Sequence, residues 1–130
     1  FNMKYTLSKF VSTSFKETLI KLKRELINED FIVLRELDLR DILNKKLEVE
    51  IGNYKIINIY NPLITYKALL VEKDIGLMLP FSIVIRELKN NQIRICVVNY
   101  SIAMRIFSDK DLIIAASAVS NKLKKILAKL

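Results

Sequence analysis

Apolar positions change their period several times along the chain, and each change marks an element. Lys4 to Lys9 alternates, with Tyr5 and Leu7 on one face, and predicts a short first strand. Ser14-Phe-Lys-Glu17 has the form of a capping box, in which the serine oxygen accepts from a first-turn amide and the glutamate reaches back. Phe15, Leu19, Leu22 and Leu26 follow at spacings of four, three and four, one apolar stripe on a helix ending near Asn28. Phe31 to Leu39 is rich in β-branched and aliphatic residues and predicts the second strand.

Asp38 or Arg40 then opens a short helix through Leu47, Gly52-Asn53 makes a turn, and Tyr54 to Tyr60 is the third strand. Asn61-Pro62 ends it, because proline donates nothing to a ladder and suits the first turn of a helix, here from Leu63 to about Val71. Phe81 to Leu88 and Gln92 to Val98 are strands joined at Asn90-Asn91, residues that tolerate left-handed backbone. A two-residue loop there puts Glu87 opposite Arg94 and Val84 opposite Val97. Ser108-Asp-Lys-Asp111 is a second capping signal. It opens a last helix whose stripe is Leu112, Ala115, Val119, Leu123, Ile126 and Leu130.

The order β-α-β-α-β-α-β-β-α, without repeat or linker, predicts a single α+β domain over residues 1–130. Its sheet is antiparallel or mixed, of about five strands, with helices packed on one face. The final hairpin is apolar on both faces, Ile83, Ile85, Ile95 and Val97 interleaving with Val84, Cys96 and Val98. One face packs on the helices; the other stays wet unless something covers it. A subunit interface is the economical cover, so the expected partner is a second copy in a homodimer.

Composition sharpens this picture. Apolar residues make up 52% of the 130 and charged residues 28%, with two glycines and two prolines, which is a compact globular balance. The one cysteine, Cys96, rules out an internal disulfide framework or a multi-cysteine zinc site and is consistent with a cytoplasmic location. Phe1 to Phe10 lacks the continuous apolar run of a signal peptide, and Phe1-Asn2 ahead of Met3 leaves open whether Met3 is the natural start. The longest uncharged stretch, Ile75 to Ile85, is too short to span a bilayer and is broken by Gly76 and Pro80, so no membrane span is expected.

A net charge of +8 raises nucleic acid as a partner, but the distribution disfavours it. Cations of the first helix alternate with Glu17, Glu25, Glu29 and Asp30. Only Lys122, Lys124, Lys125 and Lys129 are clustered, and a helix C-terminus favours cations by its dipole.

The chemistry available is narrow. Without a histidine, Ser-His-Asp and Cys-His machinery and every histidine-based metal site are impossible. Two glycines cannot form a phosphate-cradling loop. Glu48 with Glu50, and Asp109 with Asp111, are acid pairs suited to a divalent cation or to acid–base work. A loop flank and a helix N-terminus explain them more simply. Cys96, alternating with aliphatics, reads as a small buried hydrophobe. Tyr54, Tyr60, Tyr66 and Tyr100 read as core or rim aromatics, not as a base-stacking set. No catalytic residue, metal ligand or cofactor is assigned, and a binding role is favoured over catalysis.

Between Tyr54 and Leu88 the order of residues becomes specific. Tyr54-Lys-Ile-Ile57 leads into Asn61-Pro62, then Tyr66-Lys-Ala-Leu69, then Ile75-Gly-Leu-Met-Leu-Pro80, then an apolar strand. With Ser14-Phe-Lys-Glu-Thr18 upstream and Ala103-Met104 and the last helix downstream, the chain resembles the family called domain of unknown function 302 over nearly its whole length. The resemblance implies helices on an antiparallel or mixed sheet, often in a dimer, and no established activity.

Members of that family typically carry Cys-Asn-Pro at the strand end, Leu-Pro-Cys-Asn at the next strand start and Ile-Asp-Pro after the last strand. Here those places read Tyr60-Asn61-Pro62, Leu79-Pro80-Phe81-Ser82 and Val98-Asn99-Tyr100, so both cysteines and the acid are absent. Thiols and a carboxylate at strand ends suit redox chemistry or soft-metal binding in relatives; Tyr60 and Phe81 suit neither. A pocket persisting here is more apolar, with Asn61, Ser82 and Asn99 as its polar contacts. The plainer alternative is that Asn61-Pro62 only ends a strand and starts a helix. The expected function is thus a non-enzymatic, dimeric binding or interaction domain holding a small apolar ligand near Tyr60, Asn61, Phe81, Ser82 and Asn99. The alternatives are a redox or metal-binding protein related to the cysteine-bearing members, and a weak nucleic-acid binder acting through the last helix.

Overall fold

A computed structural model describes residues 5–130. Helix α1 (Phe15–Asn28) forms as its capping signal dictates: the Ser14 hydroxyl oxygen accepts from the Glu17 N–H at 3.1 Å, and the Thr18 hydroxyl donates to the Ser14 carbonyl at 2.7 Å. Its far end closes through a left-handed residue, Asp30 (φ 65°). That turn lets the Phe31 N–H reach the Leu26 carbonyl and the Asp30 N–H reach the Ile27 carbonyl, each at 3.0 Å. Phe31 and Leu26, brought together by this turn, are both buried.

The remaining elements follow as β2 (Ile32–Asp38), α2 (Leu39–Leu47), β3 (Tyr54–Tyr60), α3 (Pro62–Val71), β4 (Phe81–Glu87), β5 (Ile93–Val98), α4 (Tyr100–Ala103) and α5 (Lys110–Lys129). Asp38 caps α2 and Asp109 caps α5. Two short 3-10 helices, at Lys73–Met78 and Met104–Ile106, and the four-residue α4 lie outside the expected element order. They are too short to carry a periodic signal.

Strand β1 (Thr6–Val11) starts and ends two residues later than the alternation predicts. Tyr5 precedes it and is exposed, while Lys4 lies outside the described residues. Leu7 packs on the core as expected, and Val11 joins it.

The sheet is antiparallel throughout, in the order β1-β5-β4-β3-β2. At the β4–β5 turn the register differs by one residue from the expectation: Val84 faces Cys96 and Glu87 faces Ile93. The reason is turn chemistry. Leu88 and Gln92 close a three-residue loop, with Asn91 left-handed (φ 65°) and the Asn90 side-chain oxygen accepting from the Gln92 N–H at 3.1 Å. The single-residue shift keeps Ile83 with Val97 and Ile85 with Ile95 on one face.

That face is the core. Ile57, Ile59, Phe81, Ile83, Ile85, Ile93, Ile95 and Val97 are all buried on it, with Leu22 and Leu26 of α1 and Val119, Leu123 and Ile126 of α5 in the same cluster. Helices α3 and α4 pack on α5 in turn. On the opposite face Val84, Cys96 and Val98 remain only half-buried, the wet apolar strip expected from the two-faced hairpin. Edge strand β2 bulges between Val33 and Arg35.

Candidate functional site

A small apolar cavity lies where β4 begins, beneath α3, α4 and α5. Alternation along β4 turns Phe81 inward, onto the same face as Ile83. Tyr100, the first residue of α4, meets it there edge to face, ring centroids 4.6 Å apart. Around this pair sits a cavity of about 30 Å³, also lined by Ile64, Ala68, Met104 and Ala116.

Two of the lining residues carry a hydroxyl, Tyr100 and Thr65. The Tyr100 hydroxyl oxygen accepts from the Ser82 N–H at 3.4 Å. Burial pushes the Tyr100 phenol above its usual range, and the Ser82 N–H works weakly against that. Thr65, one turn into α3, also lines the cavity, and its buried hydroxyl has no hydrogen-bond partner among the described residues. A space of this kind receives a small apolar molecule with one polar atom better than an ion.

The five residues singled out by sequence do not converge on it. Phe81 alone lines the cavity. Asn61 is buried as the cap of α3, its side-chain oxygen accepting from the Ile64 N–H at 3.2 Å and its amide donating to the Glu29 carbonyl at 3.4 Å. It borders a separate, open groove of about 560 Å³ with Ile27, Ile32, Leu63 and Lys122. Asn99 ties the C-terminal half together: its side chain accepts from the Ser120 hydroxyl at 3.1 Å, and its N–H donates to the Tyr5 carbonyl at 2.6 Å. Ser82 and Tyr60 alternate away from the core. Ser82 there accepts from the Asn58 amide at 2.9 Å, and Asn58 in turn accepts from Arg35 at 2.8 Å.

Sequence reasoning missed Tyr100, Thr65 and Met104. Tyr100 stood one residue from the chosen Asn99, but only the reversal of the chain after β5 turns it back over Phe81. Thr65 carried no signal, since one hydroxyl in an apolar helix is ordinary.

The other candidates have structural roles. Glu48 is the left-handed end of α2, and Glu50 pairs with Arg40. Asp109 accepts from the Asp111 and Leu112 N–H groups at 2.8 and 3.1 Å. Cys96 is half-buried on the open sheet face between Ser8 and Val84. Lys122 and Lys129 approach Glu29 and Glu25 of α1 at 3.9 and 3.7 Å, which leaves the last helix less purely basic than its sequence. Among the described residues no three cysteine or carboxylate side chains converge as a metal site, and no helix is long and apolar enough to cross a membrane.

The model of the family "Domain of unknown function DUF302" matches residues 7–130. Among solved structures, the chain is similar to an uncharacterized conserved DUF302 protein from Bacillus stearothermophilus, with a TM-score of 0.89 at 22% identity over 98% of each chain. That likeness concerns the fold. No curated protein matches the chain.

Proposed function

The chain belongs to the DUF302 family, and from the geometry of the cavity beside Phe81 and Tyr100 we propose that it is a non-enzymatic domain that binds one small apolar ligand. A single observation carries this reading. The Phe81–Tyr100 pair walls an apolar cavity that Thr65 also lines, and the buried Thr65 hydroxyl is unsatisfied among the described residues. An unpaired buried hydroxyl costs about 1–3 kcal/mol, and a ligand carrying one polar atom removes that cost.

At about 30 Å³ the space admits only a few non-hydrogen atoms. A larger molecule enters by rotation of Met104, whose unbranched side chain adapts at low cost. Of the site expected from sequence, Phe81 is retained as a lining residue. Asn61 and Asn99 hold the helices that roof the cavity, and Tyr60 and Ser82 belong to the far side of the sheet. The same reading makes the protein a cytoplasmic homodimer, supported by apolar surface that no described element covers and by a single cysteine. It invokes no cofactor.

Native mass spectrometry of freshly purified protein tests both halves of the reading. The expected result is a dimer carrying a reproducible added mass that is lost in Ala116→Leu, which fills the cavity. An apo protein whose melting temperature is unmoved by small alcohols and by xenon overturns the ligand; a monomer overturns the dimer.

A further inference from the structure

Among the apolar surfaces outside the helix–sheet layer, two differ in charge. The open sheet face has Leu37, Ile56, Val84 and Cys96 in one row across it, by the strand register. Arg35, Arg86 and Arg94 alternate to the same face, whereas Glu36, Asp38 and Glu87 alternate to the other. A second copy stacked there buries guanidinium groups of both subunits against no strand carboxylate. The cost of burying unpaired charge outweighs the benefit of covering the apolar strip.

The second surface is the outer side of α3. Pro-Leu-Ile-Thr-Tyr-Lys-Ala-Leu-Leu-Val is mostly apolar and has no distinct polar face, a pattern close to that of a buried helix. Its inner residues Ile64 and Ala68 reach the cavity, yet Leu63, Tyr66 and Leu70 are 61%, 60% and 58% exposed. Ile114 on the neighbouring α5 is 66% exposed. Between the two helices runs a groove of about 380 Å³, floored by Ala115 and Ala118 and bordered by Leu70 and Ile114. It carries one cation, Lys67, and one anion, Asp111. Neither has an ion-pair partner among the described residues.

One acid and one base on the same apolar groove are what a two-fold contact uses. In an isologous pair the same patch meets itself, so each Lys67 comes to the partner's Asp111 and both charges are matched without any third group. The small Ala115 and Ala118 leave the groove deep enough for a large aliphatic side chain such as Leu70. We infer that the α3–α5 groove is the two-fold interface of a homodimer, occupied by α3 of a second copy of this chain. This rests on the proposed dimeric reading and moves its interface away from the open sheet face to which the apolar hairpin first pointed.

Light scattering on a dilution series of the full chain tests it, with circular dichroism confirming that each variant is folded. Leu70→Glu and Ile114→Glu replace exposed residues and are expected to give monomers, whereas Val84→Glu on the open sheet face leaves the dimer intact. Lys67→Glu or Asp111→Lys alone sets like charges together and raises the dimer dissociation constant at least about tenfold. Combining the two restores it toward the wild-type value. A wild-type protein monomeric throughout overturns the dimeric reading itself. A dimer insensitive to Leu70→Glu and Ile114→Glu but broken by Val84→Glu overturns only the placement, and so does failure of the charge swap to recover affinity.

Discussion

The Phe81 ring meets the Tyr100 ring edge-on, with centroids 4.6 Å apart and planes at 63°. This contact joins the first residue of β4 to the first residue of α4, so one aromatic pair fixes where the chain leaves the sheet. Phe81→Ala is expected to lower the unfolding free energy by about 3–5 kcal/mol, from lost burial and the cavity left behind. Tyr100→Phe keeps the ring and loses only a long hydrogen bond, so its cost stays near or below about 1 kcal/mol. Urea denaturation of the two variants checks the order; equal losses would mean that the hydroxyl, not the ring pair, dominates.

Tyr100 also gives stability an alkaline dependence. Its folded pKa is raised by burial, so the native state holds the phenol proton more tightly than the unfolded chain does. The contribution is complete below the ordinary tyrosine value near 10 and is lost as pH rises from there through the higher folded value. Melting curves between neutral and strongly alkaline pH are expected to fall more steeply for the wild type than for Tyr100→Phe. Parallel curves would show that Tyr100 does not titrate differently in the two states.

Asn61 separates a structural role from a ligand contact. As the cap of α3 with both side-chain ends bonded, its replacement by alanine is expected to cost about 1–2 kcal/mol. Asn61→Ser retains a capping oxygen and is expected to recover part of that loss. If Asn61→Ala removes a retained mass in native spectra without lowering the melting temperature, Asn61 contacts the ligand directly.

Arg86 lies directly opposite Arg94 across β4 and β5. Like charges so placed repel, and Arg94 is turned toward Phe10, its guanidinium carbon 5.9 Å from that ring's centroid. Arg86→Glu converts the repulsion into an opposite-charge pair and is expected to stabilise the fold by about 0.2–1 kcal/mol. The gain shrinks in concentrated salt. Destabilisation measured by denaturation at low salt would show that Arg86 has a favourable contact in solution.

Much of the fold was legible because long periodic segments state their own faces. The Phe15–Leu26 stripe and its Ser14 cap placed α1 correctly, and Leu112, Val119, Leu123 and Ile126 of α5 reached the core as read. What failed was short range. Asn90-Asn91 suits a two-residue loop, yet Asn90 engages Gln92 with its side chain and only Asn91 turns left-handed. Of the residues lining the candidate cavity, only Phe81 was singled out from the sequence. Alternation alone sends Phe81 and Ser82 to opposite faces, so one pocket could not hold both. Tyr100 and Thr65 reach the cavity through tertiary packing, which no local pattern encodes.

The sheet order has a temporal side. β1 is an edge strand whose one neighbour is β5, so Lys9 waits for Ile95, more than half the chain away. During synthesis the first strand emerges with nothing to pair with, while β2, β3 and β4 already form neighbouring antiparallel pairs. Closing that long loop late favours a slow final step in folding. Release from the ribosome before β5 is made leaves a meander whose inner edge lacks both of its last strands.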